Sequence, residues 1–202
     1  MQCALKLQTL THTYYMFIEP NISKIPVGWI EVICGSMFSG KTEELIRRLL
    51  RAKIANQNTL IFKPAIDIRY NQTDIVSHDQ KSLPSLPVNQ ARHILELSKE
   101  AQVIGIDEAQ FFESELVDIC EQLALQGKRV IVAGLDMDFK KQPFGPMPQL
   151  LAIADYITKL HAVCVICGGI AGYSYRKDPN KEQVLVGEKD KYQARCRTCF
   201  HL

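Results

Sequence analysis

Eight residues, Gly35-Ser36-Met37-Phe38-Ser39-Gly40-Lys41-Thr42, fit the pattern G-x-x-x-x-G-K-[ST]. An apolar run, Trp29 to Cys34, leads into them, and a helix-like run from Glu43 to Ile54 leads out. In that strand-to-helix context the pattern reads as a phosphate-binding loop. Its glycines let the backbone curl so that several N–H groups point at one anion, and the helix N-terminus adds its positive dipole end. Lys41 would reach the outer phosphates of a nucleoside triphosphate, and the Thr42 hydroxyl would ligate Mg²⁺.

A nucleotide site also needs an acidic group at the end of another apolar strand. Val103 to Asp107 supplies it, followed directly by Glu108. Asp107 would hold Mg²⁺ opposite Thr42, since Mg²⁺ prefers one or two carboxylates plus phosphate oxygens and water. Glu108 would activate either a water, giving an ATPase, or a substrate hydroxyl, giving a kinase.

The second strong pattern is Cys164-x-x-Cys167 with Cys196-x-x-Cys199. Two pairs of thiolates suit a tetrahedral, structural Zn²⁺ with no position left for water. The 28 intervening residues exceed the roughly 15 to 20 of a compact ribbon. The chain between the pairs is therefore a long loop closed at both ends, and closure lowers the entropy cost of holding it over a pocket. His201 is near enough to compete as a ligand; Cys199 is preferred on spacing. Other residues leave two readings open. Asp67 with Arg69 is either a phosphate clamp or a surface ion pair. Met37, Phe111, Phe139 and Tyr192 either line a pocket for a flat base or are core.

The elements that must position these groups alternate. Strands are expected at 29–34, 59–62, 103–108, 129–134 and 156–163, and helices at 42–55, 91–100, 114–126 and 149–154. This order implies an α/β fold with a mostly parallel sheet and helices on both faces. On the first helix Leu45, Ile46, Leu49, Leu50 and Ile54 share an apolar face, while Arg47, Arg48 and Arg51 form a solvated one. A polar stretch from Pro64 to about Gln90 reads as a long functional or mobile connection. Residues 1–28 show no sustained period and read as a poorly ordered extension without assigned function. Residues 29–160 read as the nucleotide-binding domain, and 161–202 as a small zinc-binding one.

Composition narrows the class. Of 202 residues, 24 are basic and 22 acidic, a net charge of +2. That balance argues against a broad nucleic-acid surface, which needs many phosphate contacts. No apolar run approaches the roughly 20 residues that span a bilayer, and no secretory signal is apparent. Seven cysteines, four of them in the two pairs, fit a cytoplasmic protein with one metal site and three further thiols, Cys3, Cys34 and Cys120.

Taken together, these residues resemble the thymidine kinases of the small, zinc-containing, P-loop type. The match covers about 170 residues from Glu31 onward: the loop at 35–42, Asp67-Ile-Arg-Tyr70, Ser77-His78-Asp79, I-G-I-D-E-A-Q-F-F at 104–112, G-L-D-M-D-F at 134–139, Pro143-Phe144-Gly145, both cysteine pairs and Asp190-Lys-Tyr192. The resemblance implies a RecA-like α/β domain followed by a zinc-bound lasso, assembled as a homotetramer. It implies transfer of a phosphoryl group from ATP to thymidine, tolerance of deoxyuridine, and feedback inhibition by thymidine triphosphate. Glu108 matches the family's general base. Residues 35–42, Asp67, Arg69, Asp107, Glu108, Ala109 and Gln110 match its ATP and Mg²⁺ positions. Met37, Phe111, Phe139, Tyr192 and the stretch Gln183, Val184, Leu185, Val186 and Gly187 match its thymine pocket. Ala109 stands where many members have Gly. An ATP-driven nucleic-acid-binding module with a zinc knot is the alternative from another class.

Overall fold

The computed structural model of the protein describes residues 28–66, 74–76, 82–177 and 191–202. The extension 1–27, Asp67, Arg69, His78 and the stretch Gln183–Gly187 lie outside the described residues.

The chain order is β1 (Trp29–Gly35), α1 (Lys41–Ile54), β2 (Thr59–Pro64), β3 (Asp74–Val76), β4 (Ser82–Pro84), β5 (Leu86–Val88), α2 (Arg92–Leu97), β6 (Val103–Ile106), α3 (Glu115–Leu125), β7 (Arg129–Gly134), α4 (Met147–Ile153), β8 (Tyr156–Leu160), β9 (Ala162–Val163), β10 (Ile170–Ala171), β11 (Tyr173–Arg176) and β12 (Tyr192–Arg195). Six strands form one sheet in the order β5-β2-β6-β7-β1-β8. Every pairing within it is parallel. Parallel neighbours need crossovers, and the helices that supply them cover both faces.

Alternation along each strand divides the core. Ile33, Ile61, Val103, Ile131 and Ala133 point toward Leu45, Ile46, Leu49 and Ala52 of α1. Ile30, Val32, Phe62, Ile104, Ile106, Val130 and Val132 point the other way. There they meet Ile94 of α2, Leu116, Ile119 and Leu123 of α3, and Leu150 of α4. Leu50 and Ile54 do not share the buried face of α1: they are 38% and 81% exposed. At 100° per residue Leu50 falls at the margin of the buried arc, and Ile54 is the last helical residue.

Arg48 also departs from the expected solvated face. It is 1% exposed. Its guanidinium donates to Glu31 on β1 (Nη1–Oε2 2.7 Å), Thr158 on β8 (2.8 Å) and Glu44 (2.8 Å). Arg129 on β7 approaches the other side of Glu31 (Nε–Oε1 2.6 Å), and Trp29 Nε1 donates to it at 2.7 Å. The fully buried Glu31–Arg48 pair thus joins α1 to three strands, β7 through Arg129 on the carboxylate and β8 through Thr158 on the guanidinium. Burial would raise the Glu44 carboxyl pKa, but hydrogen bonds from Arg47 and Arg48 outweigh it and hold it below the ordinary value. Breaking a buried ion pair leaves an uncompensated charge, typically about 3–5 kcal/mol. Glu31→Gln should therefore lower the thermal midpoint by about 10 °C; a shift within about 2 °C by calorimetry, under ~1 kcal/mol for a chain of this size, would show the network to be energetically idle.

The polar stretch after β2 is not all loop. β5 joins the sheet as its edge, parallel to β2, despite Pro84 before it and Pro87 within it. An edge strand tolerates a missing N–H on its outer side. The expected strand at 156–163 is two elements. β8 pairs with β1, and after His161 the chain turns so that β9 pairs antiparallel with β10. β9 to β12 form two small antiparallel ladders outside the main sheet.

Candidate active site

The loop at 35–42 leaves the C-terminal end of β1 with Gly35 at φ +143°. A Cβ at that position would lie 2.2 Å from the Leu160 carbonyl oxygen of β8, so only glycine fits. The loop is held from both sides. Lys41 Nζ donates to the Ser36 carbonyl at 2.8 Å, and the Met37 N–H donates to Ser174 Oγ on β11 at 3.0 Å. Ser39 Oγ is buried within the loop and has no hydrogen-bond partner among the described residues. An orphaned hydroxyl at this place fits a phosphate oxygen, which would accept from it.

β6 delivers the carboxylates. β7 lies between β1 and β6, so the acidic strand is one strand removed from the loop strand. Asp107 nevertheless reaches Thr42, whose Oγ1 donates to Asp107 Oδ2 at 3.3 Å. The other carboxylate oxygen, Oδ1, accepts the Glu108 N–H at 3.0 Å. A hydroxyl and a carboxylate so close together are hard oxygen donors of the kind Mg²⁺ takes. Glu108 is half-buried and adopts the left-handed conformation (φ 51°, ψ 41°). For a residue with a Cβ this costs roughly 1–3 kcal/mol, and such strain clusters at functional positions. Gln110 Nε2 donates to Glu108 Oε2.

The aromatic residues do not form one group. Phe139 and Tyr192 converge on Arg176 of β11. Its guanidinium carbon lies 3.5 Å from the Phe139 ring centroid, and its Nε donates to the Tyr192 hydroxyl at 2.9 Å. Phe111 instead packs edge-on against Phe144, with centroids 5.6 Å apart. Met37 is tied to the same strand as Arg176 through Ser174. Sequence reasoning assigned no role to Arg176 or Ser174. Their signal was the period-2 spacing on β11, with Arg176 opposite Tyr192 in register.

The four cysteines come together. The Sγ atoms of Cys164, Cys167, Cys196 and Cys199 lie within 4.8 Å of one another, and those of Cys167 and Cys196 are 3.7 Å apart. Metal–sulfur bonds of about 2.3 Å in a tetrahedron give sulfur–sulfur edges of about 3.8 Å. The set fits zinc. Some desolvation works against the Cys164 thiolate, but hydrogen bonds from the backbone of Cys196, Cys167 and Ile166 outweigh it and hold the thiol below its ordinary pKa. His201 is turned away from the tetrad, with Nε2 3.2 Å from Lys141 Nζ. The remaining described cysteines are inert by burial, which pushes Cys34 up to about 11, with Asp136 adding to the effect, and Cys120 up to about 12.

Residues 28–200 match the family described as thymidine kinase. The chain belongs to the thymidine kinase family. Among curated members it is 62% identical to the thymidine kinase of Porphyromonas gingivalis over 184 residues, 91% of this chain and 90% of that one. It is 59% identical to the enzyme of that name from Rhodothermus sp. over 174 residues, 86% of this chain and 82% of that one. It is 60% identical to that of Bacteroides thetaiotaomicron over 173 residues, 86% and 87% of the two chains. Among solved structures, a DNA replication initiation factor is similar at a TM-score of 0.42 and 14% identity, covering 65% of this chain and 40% of that one, too loose a likeness to argue from. Within this thymidine kinase family member, no described helix is long and apolar enough to cross a membrane.

Proposed function

We propose that this chain transfers the γ-phosphate of ATP to the 5′-hydroxyl of thymidine. The observation that carries this reading is the meeting of Thr42, Asp107 and Glu108 at the mouth of the loop, in a chain of this family. Phosphoryl transfer needs positioning and charge neutralisation rather than covalent help. The backbone of residues 35–42, the Ser39 hydroxyl and Lys41 hold the phosphates. Thr42 and Asp107 hold Mg²⁺, which when bound neutralises charge on the phosphate oxygens. Glu108 takes the proton of the acceptor hydroxyl, and its half-buried place leaves it both desolvated and reachable.

Phe139 and Tyr192 wall the thymine pocket, with Met37 and Phe111 at its edges, and Arg176 fixes the first two. The backbone at 183–187 pairs with the base edge, and Asp67 and Arg69 serve the phosphates. A base with the reversed donor pattern leaves a buried polar edge unpaired, at about 1–3 kcal/mol, so deoxycytidine is rejected and deoxyuridine tolerated. The zinc tetrad is structural and closes the 161–202 unit over the 29–160 domain. Thymidine triphosphate occupies the same pocket as a feedback inhibitor. The protein works in the cytoplasm as a homotetramer, without nucleic-acid or membrane partners.

The deciding experiment is nucleoside-dependent ADP release by the purified protein with Mg-ATP. Release with thymidine and deoxyuridine but not deoxycytidine is expected, and no release with thymidine would sink the proposal. Arg176 gives a separate test of the pocket. A desolvated cation–π contact is worth about 2 kcal/mol, and tenfold in affinity is about 1.4 kcal/mol. Because the contact lies between protein groups and reaches the base only by holding Phe139 and Tyr192 in place, Arg176→Met should raise the thymidine KM by up to roughly tenfold and leave the ATP KM unchanged. An equal rise in both would place Arg176 outside the base pocket.

A further inference from the structure

Gln110 follows Glu108 by two residues, yet its side chain faces inward and it is only 2% exposed. Its Oε1 accepts the N–H of Leu135, just past β7, at 2.9 Å. A backbone N–H can only donate, so Oε1 must face Leu135 and the NH₂ must face the opposite way. There it meets Glu108 Oε2 at 2.5 Å. The orientation of this amide is therefore dictated by its surroundings.

Two glycines make the room for it. A Cβ at Gly134 would lie 2.9 Å from Gln110 Oε1. A Cβ at Gly145, where φ is +51°, would lie 2.2 Å from the Gln110 carbonyl oxygen. The end of β7 and the loop before α4 thus clasp Gln110 on its side-chain and main-chain sides. The terminal torsion of a glutamate is broad and soft, and the Gln110 amide restrains it at Oε2.

We propose that Gln110 is a positioning residue for the transfer: through its bond to Oε2 it sets the orientation in which the Glu108 carboxylate meets the acceptor hydroxyl. This rests on the reading of Glu108 as the base. Gln110 matches an ATP position of the family, but its side chain is turned inward onto Leu135 and Glu108, so it acts on the transfer through Glu108. Its effect is on kcat, because a misplacement of about 1 Å in a reacting group costs on the order of a hundredfold.

Gln110→Glu keeps an acceptor for the Leu135 N–H and replaces the donor facing Glu108 with an oxygen. It should lower kcat by at least ~10-fold with both KM values within about twofold. Gln110→Met, which keeps the volume without polar ends, should give the same split if the first variant folds poorly. In a Glu108→Gln background, adding either change should alter the residual turnover by less than about twofold, because residues acting as a unit are non-additive. An unchanged kcat in both single variants, or an equal further loss in the Glu108→Gln background, overturns the proposal. Full turnover of Glu108→Gln alone overturns the base assignment itself, a result obtained without touching Gln110.

Discussion

Glu108→Gln is expected to lower thymidine turnover by about 10²–10⁴-fold, the usual contribution of a positioned general base, while ATP affinity stays within about twofold of the parent. The carboxamide has the same shape and can hold the same left-handed backbone, but it has no lone pair basic enough to accept the hydroxyl proton. ATP binding should survive because the loop is set by elements that do not depend on Glu108. Gly35 is fixed against β8, Lys41 against Ser36, and Met37 against β11. Steady-state rates and a fluorescent-nucleotide titration on the same preparation separate the two quantities. If turnover persists near the parent value, the proton leaves by another route.

Removing the metal should have an effect of similar size by another cause. The core of the C-terminal unit consists of Ala162, Cys164, Ala171, Ala194 and Cys199. Even with Tyr173 and Tyr192, which are also buried in this unit, these side chains supply on the order of 10 kcal/mol, at about 0.8 kcal/mol per buried carbon and about 1.5–3 kcal/mol per large side chain. Ordering the chain costs about 1–2 kcal/mol per residue. A structural Zn²⁺ held by the four thiols would contribute an apparent free energy of about 10–16 kcal/mol, enough to decide whether this unit folds. With zinc in the tetrad, Cys196→Ser or exhaustive chelation should therefore abolish thymidine turnover, release the metal and unfold the ladders β9 to β12. The α/β domain should keep its cooperative transition, since its two clusters on the faces of the sheet share no residue with the small unit. Zinc analysis with near-ultraviolet circular dichroism reads the first effect and calorimetry the second. Full activity in a zinc-free sample would mean that the four thiols hold the unit without a metal.

The relation of sequence to structure differs from one element to the next. β1, α1, β6 and β7 were legible because their signals are local: an apolar run, a period of 3.6, a glycine-bounded loop. The same local signals misplaced Leu50, Ile54 and Arg48. A charge on a helix reads as solvated unless the strand across from it is known to carry Glu31. β5 was hidden by Pro84 and Pro87, which argue against a strand unless that strand lies at an edge, and the edge is a property of the sheet. The aromatic residues were recognisable as a set, but only packing shows that Phe139 and Tyr192 share Arg176 while Phe111 pairs with Phe144.

For the site, the sequence by itself determined the loop at 35–42, the acidic pair at the end of an apolar strand, and four thiols at ligand spacing. Each is a run of neighbouring residues whose chemistry follows from backbone geometry over a few bonds. Tertiary structure alone decided that Thr42 meets Asp107 across an intervening strand, that the Ser39 hydroxyl has no partner among the described residues, and that the two cysteine pairs come within 4.8 Å of one another. It alone turned Gln110 inward onto Glu108. The long-range relations among these join residues tens of positions apart, and even the turn of Gln110 onto its near neighbour is set by Leu135, 25 positions on; their distances follow from how helices and strands pack on the sheet, a constraint that no local pattern carries.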